Sequence, residues 1–169
     1  MDLPHTSRLT AERLHDDHLG DLCRMHDDPR VMATLGGTRS DEETLIFLRS
    51  NLDHWTQHGF GLFVFRDRAS GAFVGRGGLR HVEIGGKDEI ELAYAVIAAF
   101  WGKGLATEMA AALLSLGIDR LGLTGIVAFT LTTNMGSRRV MEKLGLHFER
   151  DIRHAGLLHA LYRSVADGL

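Results

Sequence analysis

The spacing of apolar and polar positions changes repeatedly along the chain, and each change predicts an element. Arg8 to Leu14 reads as a first strand, and Asp17 to His26 as a short helix stopped before Pro29. Ser40 with Glu43 three residues on is a capping-box pattern. Behind it Leu45, Leu48, Leu52 and Trp55 recur at helical spacing, which predicts a helix to about Gln57 and a core-facing stripe. Leu62 to Arg66 and Phe73 to Leu79 read as a hairpin across Ala69-Ser70-Gly71. Gly85-Gly86 then turns the chain into a strand from Glu89 to Val96. An apolar-striped helix follows over Met109–Leu121, then a strand over Ile126–Leu131. Arg138 to Leu144 reads as a short helix ended by Gly145, and Leu146–Arg150 and Leu157–Tyr162 close the sheet. Helices interleaved with strands in this order predict an α/β three-layer domain with a mixed sheet.

At 169 residues the chain is read as one domain, 1–169, long enough to bury a real core. A net charge of −3 gives no basic field, so nucleic acid is not expected as a partner, and a cationic amine would not be repelled. Cys23 is the single cysteine, which excludes an internal disulfide and is consistent with a reducing cytoplasm. MDLPHTSRL lacks the basic and apolar regions of a signal peptide, and no apolar run is long enough for a membrane span.

Candidate chemistry concentrates at Trp101-Gly102-Lys103-Gly104-Leu105-Ala106-Thr107-Glu108, between a predicted strand and a predicted helix. Glycines allow close backbone approach, and first-turn amides have no intrahelical partner, so this arrangement suits phosphate. A purely structural turn is the competing reading. The dinucleotide pattern GxGxxG fails because Thr107 holds the third glycine's place, and the P-loop fails because Gly104 follows Lys103.

What remains resembles the acetyl-CoA pyrophosphate loop of the GNAT N-acetyltransferase superfamily, [QR]xxGx[GA], with Trp101 in the first place. GKGLATE after that Trp, Thr6-Ser7-Arg8-Leu9, and the run from Asn134 to Leu146 (NMGSRRVMEKLGL) are similar to three ordered segments of its RimJ/RimL-like branch. The likeness spans about Thr6 to Arg163. It implies a GNAT-type fold: a mostly antiparallel seven-stranded sheet, splayed between strands four and five, with about four helices. It implies acetyl-CoA as cosubstrate and direct transfer to a primary amine, a protein N-terminus or a small molecule. The alternative is a non-catalytic acyl-CoA sensor. Gly102, Lys103, Gly104, Leu105, Ala106 and Thr107 would take the pyrophosphate, and the backbone of Tyr94, Ala95 and Val96 the pantetheine.

Asn134 would contact the cofactor arm, a role compatible with capping the helix that follows. Many members protonate the leaving thiolate with a tyrosine seven residues after this Asn, where this chain has Met141; Ser137 is the substitute candidate, with water as its rival. Glu91 is the candidate base, with Glu89 competing. His54 and His58, like His15 and His18, lack a metal-site pattern and read as surface histidines, so no metal is expected. Cys23 lies far upstream and is a poor acyl carrier. The likeness leaves a homodimer open.

Overall fold

The computed structural model describes residues 3–165, so the predicted limits of 1–169 extend beyond the described residues at both ends. One mixed sheet runs in the order β1-β2-β3-β4-β5-β7-β6. Its strands are β1 (Leu9–Arg13), β2 (Leu62–Asp67), β3 (Phe73–Ile84), β4 (Lys87–Val96), β5 (Val127–Leu131), β6 (His147–His154) and β7 (Leu157–Arg163). The described α-helices are α1 (Leu19–His26), α2 (Pro29–Met32), α3 (Asp41–His58), α4 (Leu105–Ser115) and α5 (Met135–Lys143). Every strand pair is antiparallel except β4–β5.

The capping box forms as predicted: Glu43 N–H donates to Ser40 Oγ at 3.1 Å, and Ser40 N–H to Glu43 Oε1 at 3.2 Å. Leu48 and Trp55 of the predicted stripe are buried, whereas Leu45 and Leu52 are only half-buried and Thr44 and Asn51 complete the buried face. Trp55 is anchored by its indole N–H to Leu62 O at 2.8 Å. In β2, Leu62 to Phe65 are consecutively buried, which requires cover on both faces of the sheet. α4 covers the face on which Gly77 meets Leu113 and Met109. Arg76 points to the opposite face, where His26 of α1 and Phe47 of α3 meet it. At Gly78 a Cβ would lie 2.3 Å from Gly61 O, so β2 and β3 approach there only because the position has no side chain.

Several element limits differ from the pattern. β3 continues from Leu79 to Ile84 because its polar end pairs with β4 right up to the Gly85-Gly86 turn. β6 continues from Arg150 to His154 as a largely exposed outer strand, where no apolar alternation is required. α4 starts at Leu105, and its α-geometry gives way after Ser115 to a wider turn over Leu116–Arg120, with Leu121 N–H reaching Leu116 O at 3.1 Å. Asn134 starts α5 three residues earlier than its apolar positions suggest.

The sheet has one weak seam. β4 and β5 pair at a single register position, Glu91–Val127. β4 then continues to Val96 held only by β3, and the two strands diverge as the resemblance implied. α4 begins at the open end of this notch.

Candidate active site

Half of the backbone groups on β4 beyond Glu91 face the side that β5 has left, because strand peptides alternate in direction. The notch encloses about 740 Å³. Its walls carry Tyr94, Ala95 and Val96 on one side and Asn134 and Ser137 on the other. At its mouth lie Gly102 and the segment Gly104–Thr107. Lys103 lies at the exposed face beside this lining, with Nζ 5.2 Å from the Phe100 ring centroid.

The mouth is built for an anion. Gly104 is the residue before α4, at φ +75°, a left-handed backbone that only glycine adopts cheaply. It has no side chain to cap the first turn, so the amides of Leu105, Ala106 and Thr107 remain open to a ligand. The loop is tied down from β1. Arg8 donates to Lys103 O at 2.9 Å and to Glu108 Oε1 at 2.8 Å, and its backbone N–H donates to Glu108 Oε2 at 3.0 Å. Burial raises the Glu108 pKa, but hydrogen bonds from Arg8 and Thr6 and the Arg8 charge outweigh it and hold the group below its ordinary value. Trp101 pins the other end, with its indole N–H on Val96 O at 2.8 Å. The two sequence segments 95 residues apart, at Arg8 and Lys103, thus form one structural unit.

Deeper in the notch, Tyr94 Oη lies 2.9 Å from Ser137 Oγ. Burial pushes the phenol up to about 12, against a smaller lowering by the Ser137 hydrogen bond. Tyr94 therefore stays protonated in neutral solution, and the two hydroxyls share a hydrogen bond in which either can donate. A phenol is present after all, supplied by β4 rather than by position 141, where Met141 is 1% exposed in the core. Asn134 caps α5 by accepting from Ser137 N–H at 3.2 Å, and its amide donates to Thr130 Oγ1 at 3.0 Å. Its side-chain amide is thereby held in place beside Ser137.

A second cavity, about 970 Å³, lies between α3 and β3 and meets the notch at Arg39, Phe47, Arg80, Glu91 and His154. Glu91 is 7% exposed and accepts from Arg80 Nε at 2.9 Å through Oε2. Its Oε1 has no hydrogen bond among the described residues. His154 also reaches this junction; burial lowers its pKa, Glu91 raises it, and the charges of His159 and Arg80 lower it. The competing Glu89 is committed elsewhere, bidentate to Arg163 at 2.9 and 2.9 Å.

Arg76 is 4% exposed, donates from Nε to His26 Nε2 at 3.1 Å, and stacks over the Phe47 ring. Accepting at Nε2 makes His26 a donor through Nδ1, to Thr44 Oγ1 at 3.0 Å. Burial, then the charges of Arg76 and Arg39, lower the His26 pKa to about 3, so the ring is neutral. The residue pattern singled out neither of these nor Arg39, Phe47, Arg80 and His154. The one available signal was Arg76-x-Gly78-x-Arg80, which places two cations on one face of β3.

Of the four histidines expected at the surface, His15 and His58 are exposed, whereas His18 is buried against Glu12 and His54 is half-buried. His54 and His58 are joined by His81 of β3, and ligand atoms of the three lie within 4.8 Å of one another. His54 is half-buried, and both its ring nitrogens are engaged: Nδ1 with Phe60 O at 2.8 Å and Nε2 with His81 N–H at 3.0 Å. Their i, i+4 spacing is thus part of a packed imidazole stack across α3 and β3. Cys23 sits on α1; burial and the Asp41 carboxylate raise its thiol pKa, which opposes thiolate chemistry.

With this geometry, residues 8–147 match the family model of an acetyltransferase (GNAT) domain, and the chain belongs to that family. It is 32% identical over 151 residues to the FsC-acetyl coenzyme A-N(2)-transacetylase of Aspergillus fumigatus, covering 84% of this chain and 63% of that relative. Its fold is similar to a GnaT-family acetyltransferase from Bordetella pertussis at TM-score 0.85 and 25% identity, covering 98% of this chain and 100% of that one. It is also similar to RimL, a ribosomal L7/L12 α-N-protein acetyltransferase in complex with coenzyme A, at TM-score 0.81 and 17% identity, covering 98% and 99%. GNAT acetyltransferases use acetyl-CoA. The uncapped helix start, the side-chain-free Gly104 and the unpaired β4 edge fit a pyrophosphate and an amide-bearing arm. No described helix is long and apolar enough to cross a membrane.

Proposed function

We propose that this protein is an acetyl-CoA-dependent N-acetyltransferase of the RimJ/RimL-like branch, transferring the acetyl group to a primary amine by direct attack in a ternary complex. A cytoplasmic setting is part of this reading. The observation that carries it is the meeting of two cavities at Glu91: one fits a phosphate-bearing thioester, and the other leaves room for an acceptor. The motifs at Gly102–Thr107 and Asn134, and the likeness to RimL, support the branch.

In the reaction a C–N bond forms, the C–S bond breaks, the amine loses a proton and the thiolate gains one. The amides of Leu105, Ala106 and Thr107 hold the pyrophosphate, and the backbone of Tyr94 and Val96, turned to the open edge while Ala95 between them pairs with β3, meets the arm like an added strand. An amide near Val96 polarises the thioester carbonyl. Glu91, oriented by Arg80, takes the amine proton through Oε1, directly or through water. Ser137, hydrogen-bonded to the neutral Tyr94 phenol, protonates the thiolate. A missing phenol at Met141 would favour a non-catalytic sensor, and the Tyr94–Ser137 hydroxyl pair favours turnover instead.

The test is a thermal melt with acetyl-CoA followed by free-thiol release with an amine panel. Acetyl-CoA at about 100 times its dissociation constant should add about 2.7 kcal/mol of stability. Glu91→Gln should lower kcat roughly 10²-fold or more while acetyl-CoA affinity is kept. A melt indifferent to millimolar acetyl-CoA would overturn the reading.

A further inference from the structure

Where the two cavities meet, two arginines, Arg39 and Arg80, line the junction against one carboxylate, Glu91. Arg39 is half-buried, and its guanidinium makes no hydrogen bond or ion pair among the described residues; it stacks on Phe47, 5.0 Å from the ring centroid. Burial comes first, and the charge of Arg80 second, among the influences lowering its pKa, while Glu43 raises it. Glu43 is itself engaged by the Ser40 backbone in the capping box. Arg76 is almost wholly buried, yet its hydrogen-bond partner is the neutral His26. Arg80 alone contacts a carboxylate, that of Glu91.

Arg39 and Arg76 thus both lie against the Phe47 ring, and Arg39 and Arg80 reach the junction where the cavities meet. Removing a cation from water without a partner is costly, and a ligand carboxylate in a partly desolvated site repays that cost with charge-assisted, bidentate hydrogen bonds. The pyrophosphate does not meet this demand, because its loop lies at the opposite end of the notch.

We infer that the acceptor is an amine that also carries a carboxylate, held by Arg39 and Arg80 while its amine lies against Glu91. This rests on the N-acetyltransferase reading and narrows it. The chemistry is shared by free amino acids and by peptides with an acidic residue near the N-terminus, and the arms of the test separate these sources. Free-thiol release is measured with leucine against isoamylamine, phenylalanine against phenethylamine, and Ser-Asp-Gly-amide against Ser-Asn-Gly-amide, each compared at equal free-base concentration. Carboxylated acceptors should exceed their matched neutral partners in kcat/KM by at least tenfold, and the better of the two carboxylated groups identifies the source. Arg39→Gln should collapse that ratio toward one through KM, with Arg39→Lys restoring part of it. Melts of both variants report folding.

Neutral amines used equally well, or a ratio unchanged in Arg39→Gln, would overturn the inference while leaving the acetyltransferase standing. Absence of turnover with every amine, despite a melt raised by acetyl-CoA, would instead overturn the catalytic reading. Calorimetric titration of N-acetylleucine against N-isoamylacetamide on the CoA-loaded protein then decides the inference by itself. Selective binding of the carboxylate supports it, and equal binding overturns it.

Discussion

Tyr94 and Ser137 share one hydrogen bond, and its location defines what each hydroxyl can do. The phenol is half-buried and held neutral, so it can polarise Ser137 or donate a proton but cannot act as a base in neutral solution. Tyr94→Phe keeps the ring and its packing and removes only that hydroxyl. It should lower kcat by roughly 10²-fold or less, the low end for acid–base groups. Stability should fall by about 1 kcal/mol, the ordinary net worth of a hydrogen bond. Ser137→Ala should not add to it, because the two act through the same contact; additive losses in a double-mutant cycle would show that the hydroxyls work separately. At this scale legibility in the sequence was uneven. Ser137 and Glu91 stand in motifs, so the resemblance could name them. Tyr94 was read for its backbone alone, because which phenol approaches a serine 43 residues away is decided by the divergence of two strands. Arg39 was silent for the same reason, since an unpaired cation is recognised only by what does not surround it, and the spacing of Arg76 and Arg80 shows a shared face of β3 but not what they meet there.

The elements that hold the notch open were more legible, because their signals are local. The Ser40–Glu43 box, the hairpin turns and the glycine-bounded loop each announce themselves within a few residues. Limits were missed where tertiary pairing overrides local pattern, as in the polar ends of β3 and β6. The start of α4 was missed because the loop motif continues into the first helical turn. That overlap has a consequence for Gly104. A Cβ at φ +75° costs about 1 kcal/mol and projects where a phosphate must approach amides. Its nearest neighbour would be Arg8 Nη2 at 3.7 Å, so there is no clash to unfold the protein. Gly104→Ala should therefore lower the melting temperature by only about 2–4 °C. Acetyl-CoA affinity should fall by tenfold or more, as read by titration. Unchanged affinity would place the pyrophosphate elsewhere.

At the scale of the whole molecule the question is what keeps two half-sheets together when β4 and β5 share one bridging position. Helix packing supplies part of the answer, since one apolar core includes Val64 and Leu92 from the first half and Ala128 and Tyr162 from the second. Polar ties supply the rest at the closed end of the notch. Arg163 of β7 binds Glu89 of β4 at 2.9 Å through both terminal nitrogens, Glu149 of β6 at 2.9 Å, and Gly125 O at 3.0 Å. Glu89, read from the sequence as a rival base, is thus a fastener two residues from Glu91. Hydrogen bonds from Arg163 come first among the influences lowering the pKa of Glu89 and of Glu149. Carboxylates lowered in this way stabilise the fold fully above the unfolded value of about 4.3, and that contribution disappears as the pH falls through their lower folded values. Wild-type protein should therefore lose stability on acidification below about pH 4.3. Arg163→Met leaves the partly buried Glu89 without its partner, while the exposed Glu149 is met by water, which should cost about 1–3 kcal/mol at pH 7. Its melting temperature should also vary less with pH between 7 and 3, because the linked protons are no longer held off. If the seam governs the width of the notch, acetyl-CoA affinity should fall in the same variant, although Arg163 lies outside the cavity lining. A wild-type melting temperature and pH profile in Arg163→Met would show that the apolar core alone holds the halves in register.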